Sequence, residues 1–411
     1  MKGSHLSQYF EAVAAKRLTA VEVDREKSNQ HEFNGWKALT KMIGTNDIGE
    51  TIYFDARFIW MSEINETIIV EERLSWYDSR FNQPARSPEW RLYFPTTQVS
   101  RLAQPGDLLF IAKKTDRTLL CIIAKAGSSF ENQLQLIFNL PVQAGQSTAY
   151  HSFQEDDRQI DYSARFILEE LGIEIEESET DYLDSLLKKF NGEFPNTREF
   201  SQYARKTLKN IYPLEDPDHA LIAWIEQEEK LFKRLERQIV ERRLQSGFIA
   251  PDKNTDVDGF ISFSLSVHGR RKSRAGYALE NHLEEIFKLH SINFTRNGKT
   301  ENKANPDFLF PGELQYQTRE FPEILLTMLG VKTTCKDRWR QVLSEAARIK
   351  LKHLLTLEPG ISEAQTIEMK AQHLQLVVPA TIHGTYTSNQ RKWLLSVKEF
   401  IDLILNKQGV I

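Results

Sequence analysis

The sequence predicts a multidomain protein, a β-rich N-terminal part followed by an α/β C-terminal part. Three observations carry that prediction. Up to about residue 170, short apolar or alternating runs recur with turn residues between them. An acidic stretch then interrupts the chain, and beyond it the apolar spacing becomes helical with strand-like runs interposed. At 411 residues the chain is long enough for about two or three domains, each with a full core.

In the first part, strands are expected over 51–55, 67–70, 90–94, 107–112, 118–124 and 133–138. The triplets Pro105-Gly106-Asp107 and Asp116-Arg117-Thr118 fit the turns between them. Many short strands at this spacing suggest a barrel or a sandwich. The intervening loops are expected to carry Lys16, Arg17, His31, Arg73, Trp76, Tyr77, Arg80 and Arg86. Such a mixture of bases and aromatics is either a solvated rim or a surface for an anionic polymer.

The run from Glu169 to Asp181 is strongly acidic and reads as a boundary or hinge. Domains are therefore expected at 1–172 and 191–411, with 173–190 as linker. A long amphipathic helix is expected from Asp218 to Leu244, with Leu221, Trp224, Ile225, Leu231, Leu235, Ile239 and Val240 apolar. A loop holding Pro251, Asp252 and Asp256 follows, then the basic run Arg270, Arg271, Lys272, Ser273, Arg274. Alone, that run is a weak nucleic-acid signal. It leads into a helix on which Leu279, Leu283, Ile286 and Phe287 face a core with Glu280 beside them. Strands are expected from Asp307 and over Ile324–Val331, then a helix through Trp339, Val342, Leu343, Ala346 and Ile349. A strand over 374–380 and a helix from Trp393 to Leu405 complete the reading.

Composition limits the function classes. The chain is 40% hydrophobic and 27% charged, as expected of a soluble globular protein. No apolar run approaches the ~20 residues of a membrane span, and the N-terminus has no secretory signature. Cys121 and Cys335 are too few for a disulfide framework or a structural zinc site, which points to a reducing cytoplasm. With a net charge of −4, a nucleic-acid partner must be met by local positive charge.

Such local charge lies at Gly330–Lys350. There Lys332, Lys336, Arg338, Arg340, Arg348 and Lys350 surround the acids Asp337 and Glu345. Taken in order, Glu280, Asp307, Lys332 and Glu345 are the parts that phosphodiester hydrolysis requires. Carboxylates hold a hard divalent ion that polarises the phosphoryl oxygen and activates water, and a lysine stabilises developing charge. Singly, each has an ordinary reading as a strand cap or a solvated helix acid.

The segments 270–276, 279–280, 306–311 and 331–341 closely resemble the catalytic half of the EcoRII-type Type IIE restriction endonucleases, of the PD-(D/E)xK fold. The similarity extends upstream through 193–204 and 216–218, and covers about 185 to 380. More weakly, Lys16-Arg17-Leu18 with His31, and the section from Arg73 to Arg86, look like that family's B3-like pseudobarrel effector domain. The resemblance implies Mg²⁺-dependent cleavage of double-stranded DNA at a CCWGG-like site of the CCNGG class, with the N-terminal domain binding a second copy. Asp307 and Glu345 would be metal ligands, Glu280 an accessory acid and Lys332 the catalytic lysine.

In this family's variant the second acid is displaced from the strand onto the following helix, which accounts for Gly330 two residues before the lysine. Lys336, Asp337 and Arg338 would read bases, and an adjacent acid and arginine suit a C·G pair. Arg270, Arg271, Lys272 and Arg274 would meet phosphates. Lys16, His31, Arg73, Trp76, Arg80 and Arg86 would serve the effector domain. Where the family stacks an extruded base pair on an Arg and an aromatic, this chain has Ile225 and Glu229, with Trp224 the nearest aromatic. A cognate DNA cytosine methyltransferase in a bacterial or archaeal host is implied. Both a symmetric dimer and a monomer that nicks each strand in turn fit the sequence. The rival is a catalytically silent DNA-binding regulator of the same fold, and a third reading is a repair nuclease.

Overall fold

The computed structural model describes residues 5–23, 32–46, 48–61, 67–83, 85–140, 148–153, 160–173, 175, 186, 189–190, 193–249, 254–301, 304–335 and 338–409, without the Lys272 side chain. The chain divides into two units, residues 1–178 with 359–362, and residues 179–358 with 363–411.

The first unit is built on β1 (Phe10–Arg17), β2 (Glu32–Asn34), β3 (Ile52–Met61), β4 (Ile68–Asp78), β5 (Trp90–Tyr93), β6 (Leu108–Lys114), β7 (Leu119–Ala124) and β8 (Thr148–Ser152). Its helices are α1 (Ala20–Val23), α2 (Lys37–Ile43), α3 (Gln98–Leu102), α4 (Ser129–Ile137) and α5 (Tyr162–Glu170). The sheet order is β2-β5-β4-β3-β7-β6-β1-β8, antiparallel except where β3 runs parallel to β7. Among the described residues the edge strands β2 and β8 do not pair, so the sheet is an open half-barrel. Side chains alternate across it with the period of two that a strand imposes. Ala14, Phe58, Ile111 and Cys121 enter one core, and Val13, Ile59, Phe110 and Ile122 enter the other with α4 and α5.

Two expectations fail here. Residues 133–138 belong to helix α4, and the reason is local. Ser128 Oγ accepts the Glu131 N–H at 3.2 Å, and Phe130, Leu134 and Ile137 recur at helical spacing toward the core while Leu136 is 55% exposed. Lys16 and Arg17 lie on β1, and Arg73, Trp76 and Tyr77 on β4, rather than on loops.

The second unit opens with α6 (Thr197–Thr207), α7 (Pro217–Ser246) and α8 (Val257–Leu289). Then come β9 (Thr295–Arg296), β10 (Phe308–Phe310), α9 (Glu313–Gln317), β11 (Thr327–Lys332), α10 (Trp339–Val342), β12 (Lys352–Thr356), α11 (Glu363–Ala371), β13 (Leu374–Val377), α12 (Ser388–Arg391) and α13 (Val397–Gln408). The sheet order is β13-β12-β11-β10-β9, with β9, β10 and β11 antiparallel and β11, β12 and β13 parallel. Helices flank this mixed sheet, giving the expected α/β architecture.

Helix α8 begins at Val257, capped by the Asp256 carboxylate on Gly259 N–H at 2.8 Å, so the basic run lies within it. Phe287 packs edge-on against Phe308 at 5.2 Å and Phe310 at 5.3 Å, seating α8 on the sheet. Glu280 is two turns earlier, about 10 Å along the same side. The strand expected from Ile324 starts only at Thr327, and Ile324 sits 77% exposed in a short 3₁₀ turn. The last helix is displaced from Trp393–Leu405 to α13, where Ser396 caps it in a capping box with Glu399.

Candidate active site

Asp307 directly precedes β10, and Lys332 is the last residue of the neighbouring β11. Asp307 Oδ2 accepts the Val331 backbone N–H at 2.6 Å and faces Lys332 Nζ at 3.4 Å. Side chains of the pair are 16% and 18% exposed, so water reaches both while the low-dielectric sheet lies behind them. Two residues before the lysine, on the same face of β11, a Cβ at Gly330 would lie 2.9 Å from Val342 Cγ2. An acid on the strand is thus excluded by the close approach of α10.

Glu345 was expected on the helix after Cys335, but α10 ends at Val342 and Glu345 lies in a bend. The cause is Lys352, a buried lysine on β12. Its ammonium donates to the carbonyls of Glu345 at 2.5 Å, Ala346 at 3.0 Å and Ile349 at 3.0 Å. Those carbonyls are lost to a continuing helix, and Ala346 takes φ +48°. Burial raises the Glu345 carboxyl above its ordinary pKa, Asp307 adds to the rise, and Lys332 and Lys352 oppose it. Its Oε2 is buried without a hydrogen-bond partner.

Glu280, on α8, completes the group. Its Oε2 accepts from Arg296 Nε at 3.2 Å and Nη2 at 2.7 Å, while Arg296 Nη1 donates to Asn281 Oδ1 and Glu284 Oε2, each at 2.7 Å. Burial raises the Glu280 carboxyl, the Arg296 hydrogen bonds lower it, and Asp307 raises it again. Asp307 therefore acts electrostatically on both glutamates. Arg296 escaped the sequence reading because its partners lie on a helix 12 to 16 residues earlier. Only the return of β9 alongside α8 could have revealed it.

The donor set suits a hard cation. Two carboxylates, Asp307 and Glu345, act on each other with a buried oxygen of Glu345 unpaired, and an ion such as Mg²⁺ is commonly held by one or two carboxylates plus water. Among the described residues no group of three or more His, Cys, Asp or Glu gathers around one point. Any such ion would take the remainder of its shell from water and substrate.

Lys336 and Asp337 lie outside the described residues. Arg338, next to them, is exposed, with its N–H on the Cys335 carbonyl at 2.7 Å. The basic run divides. Arg270 is exposed with its guanidinium 4.8 Å from the Phe194 ring, and Lys272 lies outside the described side chains. Arg271 Nε bonds Glu236 at 2.6 Å. Arg274 is drawn inward to Glu228 at 3.3 Å and over the Phe232 ring at 4.1 Å, its side chain 12% exposed. Arg274 thus joins α8 to α7 rather than facing a phosphate, because the buried Glu228 requires a countercharge. Trp224 is 5% exposed with Arg205 over its ring at 5.6 Å, Ile225 is buried, and Glu229 pairs with Lys233 at 3.2 Å.

In the first unit, His31 lies outside the described residues. Trp76 is fully buried, stacks on Trp90 at 5.4 Å and donates Nε1–H to the Gly44 carbonyl at 2.9 Å. It is a core residue, contrary to the expectation of an aromatic presented from a loop. Lys16 pairs with Glu22 at 2.5 Å, and Arg80 with Glu89 at 2.8 Å. Arg73 is exposed over the Tyr53 ring at 4.6 Å, and Arg86 is exposed in the turn region before β5.

Residues 232–401, which include all four site residues, match the family described as EcoRII C terminal. Over 232 residues the chain is 39% identical to the Type II restriction enzyme EcoRII of Escherichia coli, covering 56% of this chain and 55% of that protein. The chain thus spans about half the length of the curated relative it matches. Solved structures similar to it include metal-depleted Ecl18kI in complex with uncleaved DNA, with a TM-score of 0.43 and 19% identity over 56% of this chain and 84% of that one. Another is a restriction endonuclease PspGI–substrate DNA complex, with a TM-score of 0.43 and 13% identity over 57% of this chain and 100% of that one. No described helix is long and apolar enough to cross a membrane.

Proposed function

We propose that this chain, whose residues 232–401 carry an EcoRII C-terminal domain, is a Type IIE restriction endonuclease. It hydrolyses phosphodiesters of double-stranded DNA at a CCWGG-like site. The observation that carries the reading is the juxtaposition of Asp307 and Lys332 at adjacent strand ends, with Glu345 and Glu280 both under the influence of Asp307.

In this reading Asp307 and Glu345 hold Mg²⁺, which when bound supplies charge stabilisation and a water of lowered pKa. Lys332, a cation beside Asp307, meets the negative charge that develops on the phosphoryl oxygens. The Val331 N–H pins Asp307 so that the carboxylate need not reorganise. Arg296 holds one oxygen of Glu280, which leaves this accessory acid the other. Lys336, Asp337 and Arg338 read the bases, and Arg270 is the best placed of the described side chains of the basic run for a phosphate.

The first unit is assigned as a B3-like effector domain that binds a second copy of the site, with Arg73 and Arg86 among its exposed cations. The protein is placed in the cytoplasm of a bacterium or archaeon, with a cognate cytosine methyltransferase. Two cuts in a near-palindrome favour a symmetric dimer.

The test is digestion of a plasmid with several CCWGG sites in Mg²⁺, by wild type and by Lys332→Ala. Discrete site-specific fragments are expected from the wild type, and binding without cutting from the variant. A wild type that leaves the plasmid uncut would sink the proposal. The rival is a silent DNA-binding regulator of the same fold, and the intact set Asp307, Lys332 and Glu345 counts against it. Titration with Mg²⁺ and Mn²⁺ separates the two, since a regulator binds its site yet never cuts.

A further inference from the structure

We propose that Glu358 is a positioning residue for DNA reading, because its carboxylate fixes the backbone at Cys335, three residues before Arg338. The inference rests on the base-reading role proposed above for Lys336, Asp337 and Arg338.

Strands β11 and β12 pair in parallel up to the couple Lys332–Thr356, and there the backbone ladder stops. Side chains then continue the attachment. Thr356 Oγ donates to the Thr333 carbonyl at 3.3 Å and accepts the Glu358 N–H at 3.2 Å. Glu358 Oε2 accepts the Cys335 N–H at 2.5 Å, and the Cys335 carbonyl in turn accepts the Arg338 N–H at 2.7 Å. Glu358 itself is held by Tyr386, a residue 3% exposed whose hydroxyl donates to the Glu358 carbonyl at 2.7 Å.

A chain of hydrogen bonds therefore runs from the buried end of β12 to the backbone of Arg338. Base edges are read by donors and acceptors placed within about half an ångström, a tolerance a free loop does not meet. A carboxylate accepting a backbone N–H is a strong, charge-assisted tether. Cys335, three residues before Arg338, is thus a point at which the backbone is held.

The experiment measures affinities of the full chain for a duplex with a CCWGG site and for a scrambled duplex, at matched salt and without divalent ions. Wild type, Glu358→Gln, Glu358→Ala and Thr356→Val are compared, with circular dichroism confirming the fold. Glu358→Ala is expected to lower the cognate-to-scrambled ratio by about tenfold or more, the scale of one charge-assisted bond. Glu358→Gln keeps an acceptor oxygen and should stay within about threefold of wild type.

A merely structural role would weaken both duplexes alike and leave the ratio unchanged, which would overturn the inference. It is equally overturned if Gln falls as far as Ala, since Gln keeps an acceptor oxygen for the Cys335 N–H. Should Glu358→Ala not fold, the same ratio for Thr356→Val decides. A wild type without preference between duplexes defeats the base-reading proposal and this inference with it. A wild type that discriminates beside an unchanged Glu358→Ala defeats this inference alone.

Discussion

The carboxylate of Asp307 has two partners on one strand end: its Oδ2 lies 2.6 Å from Val331 N and 3.4 Å from Lys332 Nζ. One partner is structural and the other belongs to the proposed chemistry, and substitutions separate them. Asp307→Asn keeps an acceptor for the Val331 N–H, so it should fold with near-native stability and lose cleavage. Asp307→Ala should lose cleavage and also about 1–3 kcal/mol, because a backbone N–H is left without its partner. Urea unfolding beside plasmid digestion checks both, and equal stabilities for the two variants would count against the clamp.

Arg296 neutralises Glu280 and Glu284 one helical turn apart, with side chains only 10–15% exposed. Arg296→Ala should therefore cost about 3 kcal/mol, the scale of breaking a largely buried ion pair. Glu280→Gln should cost less, since the amide oxygen still accepts from the guanidinium. Denaturant midpoints of the two variants provide the comparison.

Within the basic run, Arg274 and Arg270 should behave oppositely. Arg274→Ala leaves Glu228 buried beside a vacated site, so stability should fall by about 3 kcal/mol. Arg270→Ala should leave stability within about 0.5 kcal/mol while reducing the salt slope of DNA binding by about one. Thermal unfolding and affinity measured across salt concentrations distinguish them.

A pH dependence follows from His353, buried on β12 against Phe400 at 5.3 Å. Burial lowers its pKa from 6.5 to about 3, and Lys407 pushes the same way. The unfolded chain takes up a proton near 6.5 that the folded state refuses. The stability held above pH 6.5 is thus lost progressively as pH falls through about 3, up to a few kcal/mol. His353→Leu should flatten that slope, and urea titrations between pH 7 and pH 4 would show it.

Much of the architecture and of the candidate site was legible because the signals are local. Apolar periodicity located β3 to β7, α7 and the core face of α8, and Asp307 just before β10 and Lys332 at the end of β11 follow from where apolar runs begin and end. Local signals also misled. The alternating 133–138 run became helical because the Ser128 cap and the Phe130-Leu134-Ile137 face outweigh its strand-like pattern.

Residue types along the chain fix which groups could carry phosphodiester chemistry, and apolar spacing puts Glu280 on a helix, Lys332 at a strand end and Asp307 beside a strand start. Tertiary contacts alone explain why Glu345 leaves the helix, why Arg296 holds Glu280, and why Trp76 and Arg274 turn inward. Each of those outcomes depends on a partner distant in sequence or on another element. Lys352 captures the Glu345 carbonyl from across a turn, and Glu228 reaches Arg274 from the preceding helix. A charge or carbonyl removed from water must be met by whatever the fold brings near, and periodicity along the chain does not encode that meeting.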